Sequence, residues 1–402
     1  MRLEHKIIYS FGLKPKSMRS ILLITLLLLS GSVFAQKKLQ VLHTNIKSFP
    51  MKFPSDAAFT KHTWSIAPDL KPDSTVVWDE KIQFITDVDS IYIRVDKKHP
   101  VRDFLVIYQH KDTCWTRVRY VETPDYIGKL KKAAKYNTSD LRTVPEFIYQ
   151  DSSDSHLQAL RKKYNLDSIA GDAGEFNQII NLMHWIHNLV RHDGQHGNPE
   201  NKNADDLITV CSDGSRGLNC RGLAISLNEC YLAMGFKSRY VTCMPKELEF
   251  DDCHVVNMVY SEWLGKWVYM DPTNNAYVMD EKGMLLGIEE VRQRLIDGRT
   301  LIVNPDANWN NEQFVWLEDY IHNYMAKNLY RLECPVSSEY DYETKLPGKN
   351  TTYIQLLPLD GINQTPQKSE YVNKDFNSTM TNYVTNNPST FWKAPARANS
   401  NP

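Results

Sequence analysis

The chain has 402 residues, a formal net charge of −1, 24% charged residues and 42% hydrophobic residues. A chain of this length can bury a large core and, at roughly 100–200 residues per domain, is expected to hold two or three domains. Its near-neutral charge offers no basic surface for a polyanion, so we expect no nucleic-acid partner.

The N-terminus has the pattern of a secretory signal peptide. Arg19 precedes the apolar run 21–29, and small residues follow at the positions that signal peptidase reads. The run is shorter than the roughly 20 apolar residues that cross a bilayer, so we expect no stable membrane span, although a membrane anchor is the alternative. We predict a signal peptide at residues 1–35, with Met18 as an alternative start. The protein is then exported, to the periplasm or the extracellular space, with Gln36 as its first mature residue.

The seven cysteines are an odd number, which leaves at least one thiol unpaired within the chain. Export permits disulfides, but the spacing of the cysteines does not say which of them pair. The chain contains no C-x-x-C pair and no Asp-rich calcium loop, so we expect no metal and no cofactor.

Residues 36–150 are predicted to form a β-rich N-terminal domain. Turn-forming residues separate four segments that alternate or run apolar at strand length, at 81–86, 90–95, 104–108 and 114–120. The region carries no evident chemistry, so we expect a scaffold or a module that positions a substrate.

Residues 151–345 are predicted to form a second domain. Apolar residues at helical spacing predict helices at 155–164, 174–190, 288–295 and 312–330. The aromatic stripe of the last helix, which includes Tyr320 and Tyr324, is interpreted as core. Residues 346–402 are predicted to hold one strand, at 352–357, and then a polar, partly disordered tail.

Four histidines cluster around the end of the helix predicted at 174–190, namely His184, His187, His192 and His196. No acidic residue or cysteine stands at ligand spacing from them. We interpret them as solvated or helix-capping side chains, not as a metal site.

Cys220 follows a polar connection, residues 194–217, and opens a predicted helix at 220–234 that Gly235 ends. A thiol in the first turn of a helix lies beside unpaired backbone N–H groups and the positive end of the helix dipole, which favour a thiolate. The same N–H groups could hold an oxyanion once a carbonyl is attacked.

A predicted hairpin supplies a base and an acid. Its strands are 253–260 and 267–271, and a further strand at 238–244 precedes them. In an antiparallel hairpin the residue numbers of two paired residues always add up to the same sum. Because side chains alternate along a strand, any register in which that sum is odd puts His254 and Asp271 on one face. A sum of 525 sets them opposite each other, and a sum of 527 makes them diagonal neighbours. Asp271 could then orient His254, and His254 could activate Cys220.

Several short motifs carry a resemblance. They are Gly217-x-x-Cys220, Gly235 at the helix end, Arg239-Tyr240-Val241, Ala204-Asp205-Asp206-Leu207 before the Cys loop, and Trp267-Val-Tyr-Met-Asp-Pro-Thr273. This series resembles the core of the transglutaminase-like superfamily over residues 174–280. The resemblance implies an α+β, papain-like fold, in which a nucleophile helix packs on an antiparallel sheet, and a Cys220, His254 and Asp271 triad. Val255 and Val256 depart from the small residue and aromatic that follow the His in many relatives, a departure that concerns the acyl-binding groove and not the triad.

Such a triad attacks an amide carbonyl and passes the acyl group through a thioester to water or to an amine. For an exported chain we expect hydrolysis of peptide or isopeptide bonds, with a polypeptide or peptide substrate that could be associated with the envelope. The alternatives are protein cross-linking by transfer to lysine and a non-catalytic binding or envelope-assembly module.

Overall fold

A computed structural model describes residues 39–53, 62–122, 125–133, 135–250, 252–359 and 362–396 of the chain. The predicted signal peptide and the predicted first mature residue, Gln36, lie outside the described residues. The chain divides into two compact units, one formed by the residues up to Phe49 with Ser65–Val121 and the other by Pro50–Trp64 with the residues from Glu122 onward. Within the described ranges, no helix is long and apolar enough to cross a membrane.

The N-terminal region consists of strands, which confirms its predicted β-rich character. The strands are β1 Gln40–Thr44, β2 Ser48–Lys52, β3 His62–Ser65, β4 Asp73–Val77, β5 Lys81–Ile85, β6 Ser90–Arg94, β7 Val101–Tyr108 and β8 Asp112–Tyr120. They form two four-stranded sheets, ordered β1-β7-β8-β4 and β3-β2-β5-β6. Alternating residues supply the core, as in β5, where Ile82 and Phe84 are buried between half-exposed neighbours.

The second unit begins earlier than the predicted domain boundary at residue 150. Residues 122–150 belong to it and include a helix. The helices of this unit are α1 Tyr126–Lys132, α2 Ser155–Lys163, α3 Leu166–Ala170, α4 Glu175–Leu189, α5 Ala204–Thr209, α6 Cys220–Ala233, α7 Ile288–Asp297, α8 Ala326–Asn328 and α9 Pro388–Phe391. A π-helix, Glu318–Met325, directly precedes α8.

A seven-stranded sheet forms the framework of the second unit. Its order is β12-β11-β10-β17-β19-β21-β20, and every neighbouring pair except β19 and β21 is antiparallel. These strands are β10 Ser238–Met244, β11 His254–Ser261, β12 Lys266–Met270, β17 Arg331–Pro335, β19 Thr351–Leu356, β20 Lys368–Asn373 and β21 Ser378–Thr385. Three two-stranded pairs are β9 Ile148–Tyr149 with β18 Ser337–Ser338, β13 Val278–Met279 with β14 Ile302–Val303, and β15 Asn308–Trp309 with β16 Gln313–Phe314.

Residues 362–396, which fall in the polar, partly disordered tail predicted from sequence, include two further strands and a short helix. Strands β20 and β21 extend the seven-stranded sheet, and Phe391 is fully buried after them. Backbone hydrogen bonds to β19 hold this segment, so it needs few large aliphatic side chains of its own.

The predicted helix at 312–330 is also only partly correct. Strand β16 occupies its start, and a π-helix replaces regular α-helix over Glu318–Met325. The apolar spacing is compatible with either helix type, because both place residues four apart near one another.

Helix α6 lies at the centre of a core on one face of the sheet. Its buried residues Leu223, Leu227 and Tyr231 pack with α2, α4 and the sheet. Along β11, Val255 and Val259 belong to this core, whereas Val256 and Met258 belong to a second core on the opposite face. Both faces of the strand are therefore covered.

The connection that precedes Cys220 is anchored beside the end of α4. The N–H of Leu218 donates to the carbonyl of Arg191 (3.1 Å), and the N–H of Asp193 donates to the carbonyl of Leu218 (2.7 Å). A Cβ at Gly217 would lie 2.2 Å from the carbonyl oxygen of Arg191, so the approach requires glycine there.

We predict that Gly217→Ala lowers the free energy of unfolding by about 2 kcal/mol, because the backbone must move to admit a methyl group. Urea unfolding followed by circular dichroism measures it. Gly197→Ala in the same connection is the matched control, since a Cβ there meets nothing within 4 Å, and it should change stability by less than about 0.5 kcal/mol. Equal effects of the two substitutions would contradict the steric argument.

Candidate active site

Cys220 is the first residue of α6, and Asn219 is its N-cap. The side-chain oxygen of Asn219 accepts from the N–H groups of Arg221 (3.1 Å) and Gly222 (3.2 Å). These two amides are therefore not open to an oxyanion, which corrects the expectation from sequence. The Asn219 side chain caps the amides of Arg221 and Gly222 and not that of Cys220, so the N–H of Cys220 is the first-turn amide that the cap leaves for a ligand.

The hairpin register places His254 and Asp271 on one face. Asn257 pairs with Met270 and Met258 with Tyr269, so the index sum is 527 and the two residues are diagonal neighbours. The Nε2 of His254 lies 2.7 Å from the Oδ2 of Asp271. Both side chains are buried, with 2% and 0% exposure.

Asp271 accepts from several donors besides His254. Its Oδ1 accepts from the N–H of Thr273 (2.9 Å), and its Oδ2 accepts from the side-chain amide of Asn274 (2.9 Å). The hydroxyl of Tyr320 also donates to Oδ2. The turn after β12 thus wraps the carboxylate, whose position is further fixed by a backbone bridge between Asp271 and Ala276.

Two tyrosines of the π-helix belong to the site, although the sequence assigned them to the core. Tyr320 donates to Asp271 and lies 2.5 Å from the hydroxyl of Tyr269. The ring of Tyr324 packs edge-on against that of His254, with centroids 5.2 Å apart. Their spacing of four residues was a signal that both face one neighbour, but nothing in the sequence identified that neighbour.

The thiol of Cys220 interacts with two neighbouring imidazoles, those of His192 and His254. Burial alone would raise the pKa of Cys220, but the polar contact with these two rings and the nearby positive charge lower it to about 6. Burial alone would lower the pKa of His254, but the charge and hydrogen bond of Asp271, with the contact to Cys220, raise it to about 10. Between these values the sulfur is a thiolate and the ring an imidazolium.

The four clustered histidines have separate partners, and two of them, His187 and His192, are neither solvated nor helix-capping. His192 contacts the thiol of Cys220, so it is neither a solvated nor a capping side chain. His187 is buried, with its ring nitrogens 2.9 Å from the carbonyl oxygen of Pro272 and from the side-chain oxygen of Asn308. The other two pair with aspartates, His184 with Asp306 and His196 with Asp193. Across the described residues, no group of three or more His, Cys, Asp or Glu side chains could hold a metal ion.

All seven cysteines are free thiols in the structure, and Cys220 and Cys253 are the two that are partly exposed. Burial, the largest effect, and the nearby Cys220 raise the pKa of Cys253 to about 11, so the two thiols differ in ionisation at neutral pH. Val255 and Val256, which depart from the family pattern, are buried in opposite cores.

A cysteine that opens a helix packed on an antiparallel sheet, with a His and an Asp from one hairpin, defines an α+β thiol site of the papain-like type. Residues 162–272 match the family model of the transglutaminase-like superfamily, and all three residues lie within that match. The chain thus contains a transglutaminase-like domain, which confirms the resemblance and the fold class predicted from sequence. No curated protein matches the chain significantly.

Three solved structures are similar to parts of the chain. A candidate cysteine protease from Cytophaga hutchinsonii is 18% identical, with 41% of this chain and 56% of that one covered and a TM-score of 0.25. LapG from Legionella pneumophila is 15% identical, with 33% and 74% covered and a TM-score of 0.23. A candidate protease from Parabacteroides distasonis is 14% identical, with 44% and 37% covered and a TM-score of 0.23. The chain thus spans little more than half of the first of these structures and about a third of the last.

We predict that iodoacetamide alkylates Cys220 at a rate that rises with a midpoint near pH 6 and stays level up to about pH 9, because the thiolate is the reacting form. Mass spectrometry of the labelled peptide measures the rate. Cys220→Ala should abolish rapid labelling at neutral pH, whereas Cys253→Ala should not change it. A midpoint near 8.5, the value of an ordinary thiol, would contradict the ion pair.

Asp271→Asn tests the carboxylate that contacts His254. Loss of its charge should lower the pKa of His254 and move the alkylation midpoint of Cys220 upward, so the rate at pH 7 should fall about tenfold or more. The matched control is Asp306→Asn beside His184, a second His–Asp pair outside the site. An unchanged midpoint in Asp271→Asn, with the protein folded, would remove Asp271 from the site.

Proposed function

We propose that this protein is a cysteine-dependent amide hydrolase that acts on peptide substrates through a Cys220 thioester. The observation that carries the proposal is the convergence of three side chains, in which the thiol of Cys220 interacts with the ring of His254 and the Nε2 of that ring lies 2.7 Å from the Oδ2 of Asp271. In this proposal Cys220 is the nucleophile, His254 the acid and base, and Asp271 the group that orients His254.

The proposed reaction has two stages. The thiolate of Cys220 attacks the amide carbonyl, and the tetrahedral intermediate loses its amine as the Nδ1 proton of His254 passes to the leaving nitrogen. The neutral ring then takes a proton from water, whose oxygen attacks the thioester. Release of the acid restores the thiolate and the imidazolium.

We favour hydrolysis over amine transfer as the reaction expected of an exported protein. The signal-peptide pattern of the sequence supports an exported protein that works in the periplasm or outside the cell. Protein cross-linking is the second candidate, and it uses the same thioester with a lysine amine as the acceptor.

The wild type and Cys220→Ala should be incubated with a mixed peptide library, with and without an added primary amine, and the products identified by mass spectrometry. We expect new termini or deamidated side chains in the wild type only, and little amine incorporation. Cys253→Ala is the matched control, since it removes a neighbouring thiol and should retain the activity.

Other outcomes separate the alternatives. Predominant amine incorporation would replace the hydrolase with a transferase. No product with the wild type, together with Cys220 found in a disulfide in the native protein, would support a non-catalytic module.

A further inference from the structure

His192 is held beside Cys220 by its backbone. His192 forms a parallel β-bridge with Leu218, and Leu218 stands two residues before Cys220 in the chain. On its other side, the N–H of His192 donates to the side-chain oxygen of Asn310 (2.7 Å), and the amide of Asn310 donates to the carbonyl of His192 (3.0 Å). Hydrogen bonds on both sides therefore fix the position of this loop residue.

The protonation pattern of the His192 ring follows from its partner. The indole N–H of Trp309 donates to the Nδ1 of His192 at 3.0 Å. An indole nitrogen can only donate, so Nδ1 must carry its lone pair and the ring proton must be on Nε2. Since Nδ1 is occupied by the indole, Nε2–H is the ring group left to face the neighbouring thiol of Cys220.

The two imidazoles around the sulfur therefore differ in kind. His254 bonds a carboxylate, which favours the charged ring, whereas His192 bonds an indole donor, which requires an unprotonated Nδ1. His254 can give and take a proton during a reaction. His192 is arranged to donate a hydrogen bond and keep its proton.

We propose that His192 is a further catalytic residue, whose Nε2–H acts with the backbone N–H of Cys220 to hold the oxyanion that forms when the thiolate attacks an acyl carbonyl. The proposal rests on the proposed thioester chemistry. In that step the C–S bond forms, the π electrons of the carbonyl move to oxygen, and both N–H groups stabilise the negative oxygen without transferring a proton. When the intermediate collapses, the electron pair returns to the carbonyl and the C–N or C–O bond of the substrate breaks.

The test compares a reaction that forms an oxyanion with one that does not. Acylation of Cys220 by p-nitrophenyl acetate passes through an oxyanion and is followed as a burst of p-nitrophenolate. Alkylation by iodoacetamide uses the same thiolate in a displacement at carbon and forms no oxyanion. Full pH profiles of both reactions give limiting rates for the ionised thiol, so that a change in thiol ionisation is separated from a change in oxyanion binding.

For His192→Ala we expect the limiting acylation rate to fall about 100-fold, the loss typical of one oxyanion donor, and the limiting alkylation rate to change less than about threefold. His192→Gln should recover part of the acylation rate, because its side-chain amide can donate. Trp309→Phe should lower the acylation rate less than His192→Ala, since it removes only the group that positions the ring. His196→Ala is the matched control and should leave both rates unchanged.

A parallel fall of both limiting rates in His192→Ala would overturn the proposal, because it would show a general structural role. Failure of His192→Gln to recover any acylation, with alkylation intact, would point to proton transfer and would also overturn it. The proposed function is tested separately, by the wild type and Cys220→Ala alone. If the wild type gives no burst, or Cys220→Ala gives the same burst, that function fails and the role of His192 fails with it.

Discussion

The site depends on one buried charge pair, His254 and Asp271. Moving two charges out of water costs several kcal/mol per ion, and their attraction offsets this cost only when the remaining lone pairs are satisfied. Here the turn after β12 supplies the N–H of Thr273 and the amide of Asn274, and the π-helix supplies the hydroxyl of Tyr320. Two elements that are distant along the chain therefore converge on one carboxylate, and one of them is the irregular helix Glu318–Met325.

The charge pair in turn depends on the register of the β11–β12 hairpin. A slip of one residue would send His254 and Asp271 to opposite faces of the sheet. The same slip would move each buried side chain of β11 into the core on the other face of the sheet. Val255 and Val259 are buried on one face, and Val256 and Met258 are buried on the other. Packing on both faces therefore specifies the geometry of the site. Val255 and Val256, which depart from the family pattern, contribute to that packing.

The parts of the site that were predicted from sequence are those with local patterns. Helix α6 and the glycine that ends it were predicted from the spacing of apolar residues over a few turns. For the hairpin, the sequence left two kinds of register, one with an odd and one with an even sum of paired residue numbers. The contacts of His192 and Tyr320 could not be predicted in this way. His192 stands in a loop without periodicity and its partner Trp309 is 117 residues away, while Tyr320 lies on an apolar stripe that looks like core. The polar strands β20 and β21 were missed because backbone pairing, not side-chain burial, holds them.

The capping of α6 explains why a second histidine is needed near the sulfur. Asn219 satisfies the N–H groups of Arg221 and Gly222, which makes a stable helix start but removes two donors from the surroundings of the sulfur. The amide of Cys220 is then the one donor that the helix itself offers to a developing negative charge. A second donor has to come from outside the helix, and the bridge between residues 191–193 and Leu218 brings one there. The stability of helix α6 and the position of His192 are thus two consequences of how the same loop is folded.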